Sequence, residues 1–324
     1  MRFVLGRLAM FAVALILVSV LVFVALRILP GDMASVMAGT NASPARVAAL
    51  RTRFGLDRPL AEQYVDWVGG LARGDIGASM LTGRSVASQI AIRARITIPL
   101  ILLSMAVALA VGLPAGCAAV LARRGSVRSA IHMVAVVGGS VPALWAGLLL
   151  LLLFGRGTGI LGVLPSQGFP DDGWASPGRA LESLALPALT VGVIVGAQMM
   201  RYVRSTLAEA VSDDSVAMAM ACGMTRREAG IRVGLRLAMP QLVSVVGLTL
   251  ASMVTGVMVV ESLFALPGLG SGLLQDVGNR DLLVVQSELF LLAALFLAIG
   301  LVVDLLHSLL DPRLRRARPE EGRA

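Results

Sequence analysis

Apolar residues are gathered into six blocks, 8–29, 98–121, 131–154, 184–200, 242–260 and 284–310. Each is close to the roughly 20 residues that a helix needs to cross the hydrocarbon of a bilayer. The pattern predicts an all-α, polytopic membrane protein with six transmembrane helices. Between the first two blocks lies a long polar segment, 30–95, where punctuation rather than hydrophobicity marks the elements. Ser43-Pro44 reads as an N-cap followed by proline in the first turn, opening a helix through about Phe54. Asp57-Arg58-Pro59 repeats the device and opens a second helix that ends near Gly69-Gly70. Gly83 precedes a third piece, 84–95, whose Val86, Ile90 and Ile92 are expected to face apolar surroundings while Arg93 and Arg95 stay in water. Such helices lie on the membrane surface, cap a soluble partner or pack as a lid, and the pattern leaves all three open.

The second long polar segment, 204–238, is built differently. From Ser205 to Cys222 it holds no glycine or proline, and its alanine, methionine and leucine favour helix. Asp213 and Asp214 suit the N-terminus of a helix over 216–222, where carboxylates meet the positive end of the helix dipole. Gly223 is placed to take the left-handed conformation that ends it. Thr225 and Glu228 have capping-box spacing and start another helix through Ile231, Arg232, Leu235 and Arg236. The expected product is helix, sharp turn, helix, with Ala217, Met218, Ala219 and Met220 presenting an apolar strip. A short methionine-bearing helix suits the groove of another protein. The competing reading is an amphipathic elbow resting on headgroups.

Pro99, Pro114 and Pro142 interrupt the second and third blocks, with Gly138-Gly139-Ser140 just before the last of them. Helix breakers are tolerated in lipid where neighbouring helices or a cavity satisfy the freed backbone groups. Ser140, Pro142 and Trp145 are therefore candidates for lining a solute pathway, with close packing of small residues as the other explanation. The stretch 265–280 is glycine-rich around Pro267, Gly268 and Gly270. It reads either as a tight turn or re-entrant cap at the mouth of the pathway, forming an outer gate with Glu261, or as a plain connecting loop. The pattern divides the chain into 1–97, a span plus a long outer segment; 98–310, a five-helix domain containing the loop 204–240; and a basic tail, 311–324, expected to lie disordered against the inner leaflet.

Composition narrows the class. The 324 residues are 57% hydrophobic and only 15% charged, unlike a soluble domain. With the N-terminus inside, 16 arginines fall on cytoplasmic pieces and 3 on the two short outer loops. This is the positive-inside distribution, with both termini cytoplasmic. The net charge of +8 is thus a topology signal and an attraction to the lipid bilayer, and needs no nucleic acid. All 28 basic residues are arginine. A P-loop requires its lysine, so ATP and Mg, if they power the chain, belong to a separate subunit, and no cofactor is expected here. Cys117 and Cys222 lie in a span and on the inner side, where a disulfide is not expected. The first block is longer than the apolar core of a signal peptide and is expected to stay as a membrane helix.

Isolated groups offer little catalytic chemistry. Asp304 lies about 10 Å into the last block, counted from Asp311 at 1.5 Å per residue. A carboxylate there is costly unless paired, and a structural ion pair or helix-end contact is favoured over a proton relay because no second carboxylate lies deep in another block. Glu261 and Glu288 read as interfacial, near outer helix ends. His132 and His307 lie on different spans and read as contact residues; with two separated cysteines they make no metal set. No H-E-x-x-H or G-x-S-x-G motif occurs.

In this setting the loop 213–228 resembles the ATPase-coupling motif of ABC importer permeases, a short helix ending at a glycine. The resemblance to the dipeptide/oligopeptide/nickel branch extends over nearly the whole chain. It is carried by Leu29-Pro30-Gly31-Asp32, Gly55-Leu56-Asp57-Arg58-Pro59-Leu60 and Arg73-Gly74-Asp75-Ile76-Gly77. Further on, Val260-Glu261-Ser262-Leu263-Phe264, Pro267-Gly268-Leu269-Gly270, Arg280-Asp281 and Leu310-Asp311-Pro312-Arg313 carry it. It implies a type I ABC importer permease fold and a non-catalytic subunit forming half of a pathway for peptides or a similar small solute. It also implies a second homologous permease subunit, two ABC ATPase subunits, an extracytoplasmic solute-binding protein and a bacterial cytoplasmic membrane. The implied coupling residues are Asp213, Asp214, Ala217, Met218, Ala219, Met220, Gly223, Thr225, Arg226 and Arg227. Ser215 stands where the family carries an aromatic residue, Ala217 and Met218 where it carries Arg-Thr, and Met220 and Cys222 where it carries later basic residues. This implies either an ATPase groove more apolar than usual or a divergent subunit whose coupling is weak. The alternative from another class is an autonomous ion-coupled secondary transporter or channel, which needs intramembrane ionisable pairs and interrupted helices in matching halves.

Overall fold

A computed structural model describes residues 2–28, 34, 38–39, 42–53, 55–79, 81–122 and 124–310. The motif at 29–32, Phe54, Arg123 and the tail 311–324 lie outside the described residues. Among the described residues the elements are helices: α1 (Arg2–Ile28), α2 (Pro44–Arg53), α3 (Leu60–Ala72), α4 (Val86–Leu121), α5 (Gly125–Ser140) and α6 (Ala143–Phe154). These are followed by α7 (Pro177–Val211), α8 (Asp214–Ala221), α9 (Arg226–Leu263), α10 (Leu269–Gly278) and α11 (Leu282–Leu310). Five of the helices are long and apolar enough to cross a membrane, and α5 with α6, bent by 103° at their break, makes a sixth candidate when the pair is counted as one broken span. The six blocks of the sequence are therefore the six candidate spans.

Four boundaries differ from the sequence pattern. The expected third surface helix does not stand alone: Val86 begins α4, and 84–95 is mostly the first part of the second span. The third span is broken between Ser140 and Ala143, because Pro142 cannot donate to the helix ladder and biases Val141 towards extended backbone, φ −75° and ψ 125°. α7 runs on to Val211, well past the apolar block that ended at 200. The helix expected after Thr225 is the start of α9, which passes through a π turn, Gly230–Gly234, into the fifth span. Polar residues ended the apolar blocks, but they are good helix formers, so the helices continue into water.

Clustering of contacts divides the chain into two compact units. The first contains Met1–Ile98 and Pro267–Leu297. Here α3 is fastened to α1: the Tyr64 ring lies edge-on to Phe23 with centroids 5.3 Å apart, and Trp67 meets Phe290 at 5.6 Å. Ser19 Oγ and Tyr64 Oη share a hydrogen bond of 2.8 Å, and Arg27 donates to Gln63 Oε1 at 2.9 Å. Within the outer segment α3 is therefore packed against α1, whereas α2 has no buried residue.

The second unit contains Pro99–Leu266 and Ala298–Ala324. α7 is its centre, with buried Met199 and Val203 against Ala238 and Leu242 of α9. Glycines set the crossing of α4 and α7. A Cβ at Gly116 would lie 2.6 Å from Val203 Cβ, and one at Gly192 would lie 2.6 Å from Val107 Cβ. Gly112/Gly116 on one helix and Gly192/Gly196 on the other are small-xxx-small pairs, which let backbones approach where no hydrophobic force distinguishes helix from lipid.

Candidate coupling elbow and the family of the chain

The free part of the long inner loop is short, from Ser212 to Thr225, between the ends of α7 and α9. Asp213 caps α8, its Oδ1 accepting from the Ser215 amide at 2.8 Å. Gly223 has φ +95° and closes the other end. Its amide donates to Met220 O at 3.0 Å, and the Met224 amide donates to Ala219 O at 3.2 Å. These are the paired bonds of a Schellman motif, whose left-handed residue is glycine because a side chain there is strained. Thr225 Oγ1 then accepts from the Glu228 amide at 3.3 Å, and Glu228 pairs with Arg232 at 3.2 Å. The helix begins two residues earlier than the sequence pattern suggested, at Asp214.

One residue anchors this helix. Val216 is fully buried, while Met218 is 71% exposed. Ala217, Met220, Arg226 and Arg227 are exposed and Ala219 is half-buried. Under α8, the π turn lies close to its neighbours: a Cβ at Gly230 would lie 2.6 Å from Leu121 Cδ2, and one at Gly234 would lie 3.1 Å from Val211 Cγ2. The predicted coupling residues are thus brought onto one short helix and the turn after it. Their apolar side faces outward and their foot rests on the end of α7 and the start of α9, whose π turn in turn packs on Leu121 of α4.

The other candidates are dispersed. Ser140, Pro142 and Trp145 all lie at the break between α5 and α6, with Trp145 64% exposed. A Cβ at Gly138 would lie 3.2 Å from Ala197 Cβ, so this glycine serves packing against α7. Glu261 lies in the last turn of α9 and is fully buried, not interfacial. Pro267 and Gly268 precede α10; the glycine-rich stretch is mostly this ten-residue helix and not a turn. Gly270 is buried in its first turn. Asp304 is half-buried on α11. His132 accepts a hydrogen bond from Arg204 at 2.7 Å, and His307 bonds to Ser244 and to the Pro240 carbonyl. Both histidines are helix-to-helix contacts.

A buried ionic cluster in the first unit was not anticipated. Arg93, expected to stay in water, and Glu288, expected at the interface, are paired with each other inside the fold. The same guanidinium holds Asp276 at 2.5 Å, with side-chain exposures of 15% and 11%. Nearby, Ser79 donates to buried Asp281 at 2.5 Å, and the Leu269 amide donates to Thr97 Oγ1 at 2.8 Å. One arginine therefore ties α4, α10 and α11 together. Three isolated charges in apolar or glycine-rich runs were its only trace in the sequence, and pairing them requires the fold.

Outside the spans, one ionisation is displaced. The Ser176 hydroxyl and the Arg179 guanidinium, 2.6 Å away, both bond Asp172 and hold its carboxyl below the usual carboxylate range.

Comparison with known proteins agrees with this architecture. Residues 108–316 match the family "Binding-protein-dependent transport system inner membrane component", and residues 1–100 match its N-terminal companion family. The chain is 32% identical over 340 residues to the dipeptide transport system permease protein DppB of Escherichia coli (strain K12), covering 98% of this chain and all of that one. It is 36% identical over 315 residues to the glutathione transport system permease protein GsiC of Escherichia coli O6:H1 (strain CFT073), covering 97% and 99%. Its fold is similar to that in the inward-facing MetNI methionine ABC transporter, with a TM-score of 0.57, 19% identity, and coverage of 69% of this chain and 96% of that one. A full-length relationship to importer permeases displaces the ion-coupled alternative, and ATP hydrolysis is the task of other subunits. The chain belongs to the family of inner-membrane components of binding-protein-dependent transport systems: it is a multi-pass, non-catalytic permease subunit of an ABC importer.

Proposed function

We propose that this permease forms half of the pathway for peptides or closely related small solutes. In this reading it pairs with a second, related permease, two ATPase subunits that bind ATP and Mg, and an extracytoplasmic solute-binding protein. The relatives named above serve dipeptide and glutathione transport systems, and both solutes carry peptide bonds, which supports a peptide-class cargo. The arginine asymmetry of 16 to 3 supports cytoplasmic termini and a cytoplasmic elbow.

The observation that carries the reading is α8: an exposed Ala/Met helix whose only buried side chain is Val216. Asp213, Asp214, Ala217, Met218, Ala219, Met220, Gly223, Thr225, Arg226 and Arg227 are the proposed ATPase contact. ATP would close the ATPase pair and carry α8 with it. Because α8 is packed against the π turn, its displacement would pass to α7 and α9 as a rigid movement. The bundle then needs two discrete arrangements that the ATPases bias differently. The break that carries Ser140, Pro142 and Trp145 is the proposed pathway lining, since interrupted helices in membranes border cavities. The outer gate is proposed on the segment that holds Glu261, Pro267, Gly268 and Gly270.

The test is Met218→Asp in the reconstituted complex. A charge buried in an apolar contact is expected to weaken ATPase association by about tenfold or more, seen as loss of the ATPase subunits on purification and loss of solute-stimulated ATP hydrolysis. Retention of both activities at wild-type level would remove α8 as the contact.

A further inference from the structure

At the elbow end of the second unit, a cavity of about 420 Å³ opens between the last turn of α4, the first turns of α5, the end of α7 and the start of α9. Its polar lining is Arg128, Ser129, His132, Arg204, Ser212 and Arg226, and no carboxylate is among its described lining residues. Arg204 Nη1 lies 2.7 Å from His132 Nδ1. A guanidinium can only donate, so Nδ1 accepts and the neutral ring keeps its proton on Nε2. Arg204 therefore remains a cation with further donors. Neither Arg128 nor Arg226 is paired with a carboxylate among the described residues. Three guanidinium groups from α5, α7 and α9 thus converge on one space with no counter-charge among the described residues. Like charges so placed repel, and an anion among them relieves that repulsion.

Depth in the membrane identifies the anion. The apolar block of α7 ends at Met200, and Arg204 lies about 6 Å further along the helix. On α5, Arg128, Ser129 and His132 occupy the first two turns, before an apolar stretch whose Met133, Val134 and Val137 are 65%, 64% and 60% exposed. The cavity is therefore at the level where hydrocarbon gives way to headgroups, with an apolar surface beginning directly beyond it.

We infer that this cavity binds the phosphate of an anionic phospholipid in the leaflet on the elbow side, with the acyl chains along exposed α5. Guanidinium forks match phosphate oxygens in pairs, and basic pockets between spans on the cytoplasmic side take anionic headgroups. The volume is within the range of pockets that enclose a small polar ligand. A bound phosphate bridges α5 and α7 through Arg128 and Arg204, and leaves Arg226, the residue next to the Thr225 cap, at the cavity rim within the proposed ATPase contact. The inference needs only that these spans cross a bilayer, and does not depend on α8 being the ATPase contact.

The experiment is native mass spectrometry of the delipidated, intact transporter titrated with phosphatidylglycerol, phosphatidylcholine and inorganic phosphate. Phosphatidylglycerol is expected to bind in preference to phosphatidylcholine. In Arg128→Gln/Arg204→Gln that affinity is expected to fall about 25-fold, about fivefold per arginine, with phosphatidylcholine unchanged. Ser129→Asp keeps every arginine and supplies an internal counter-charge, so it is expected to lower phosphatidylglycerol binding as well. Met218→Asp is expected to leave lipid binding unchanged whatever it does to ATPase association. The inference is overturned if both cavity variants bind phosphatidylglycerol like wild type. It is also overturned if millimolar inorganic phosphate displaces the lipid, which assigns the site to free phosphate, or if ATPase docking excludes the lipid, which assigns the arginines to the protein partner.

Discussion

Gly223 illustrates what a single position contributes. Its φ of +95° and the open space around it mean that a side chain meets no neighbour but strains the backbone. Gly223→Val is expected to cost about 1–2 kcal/mol locally and to leave the spans folded while solute uptake falls; circular dichroism and uptake in proteoliposomes check the two parts. Asp172 is the other informative residue. Its depressed folded pKa means that its contact with Ser176 and Arg179 contributes fully above the unfolded value, near 4, and is lost as pH falls through the folded value. Amide protection in the turn 168–176, the intrinsic exchange rate divided by the observed rate at the same pH, is expected to fall below that point in wild type, and to be low at every pH in Asp172→Asn. The caps at Asp213 and Gly223 were legible in the sequence because capping is local: the residue type and its spacing carry the reason. Arg93 was misread because a charge in a helix looks the same in water or beside a carboxylate distant in sequence.

At the level of helices, close approach and ion pairing decide stability. A Cβ on Gly192 would lie 2.6 Å from Val107 Cβ and 2.9 Å from the Ser104 carbonyl. Gly192→Leu is expected to destabilise the α4–α7 crossing by about 1–3 kcal/mol or more, measured as a lower midpoint of thermal unfolding in detergent. In the first unit, Arg93→Met leaves Asp276 and Glu288 buried without their cation, a loss of about 3–5 kcal/mol. Adding Glu288→Met and Asp276→Leu is expected to restore much of it, and thermal unfolding of the single and triple variants checks this. Element existence was readable here because six apolar blocks need no partner to be recognised. Element ends were not: hydrophobicity stops where lipid stops, whereas α7 and α9 continue through polar residues until a cap or a glycine ends them.

For the molecule as a whole, the native cysteines report topology. Cys222 is exposed at the elbow and Cys117 is half-buried in α4. A membrane-impermeant maleimide is expected to label Cys222 in inside-out vesicles and not in intact spheroplasts, and docked ATPase subunits are expected to protect it. Labelling from the outer face would reverse the proposed orientation, and labelling unaffected by the ATPases would place their contact elsewhere.

Class, the apolar blocks that become candidate spans and the position of the elbow helix were determined by the sequence alone, because hydrophobic length, charge asymmetry and capping act between near neighbours in the chain. The tertiary structure alone decided which helices continue past their apolar blocks, which of Pro99, Pro114 and Pro142 breaks a helix and which arginines are buried against carboxylates. It also decided which of them surround a cavity with no counter-charge among the described residues. Those outcomes depend on residues far apart in the chain meeting across helices, and no local pattern encodes the distance between them.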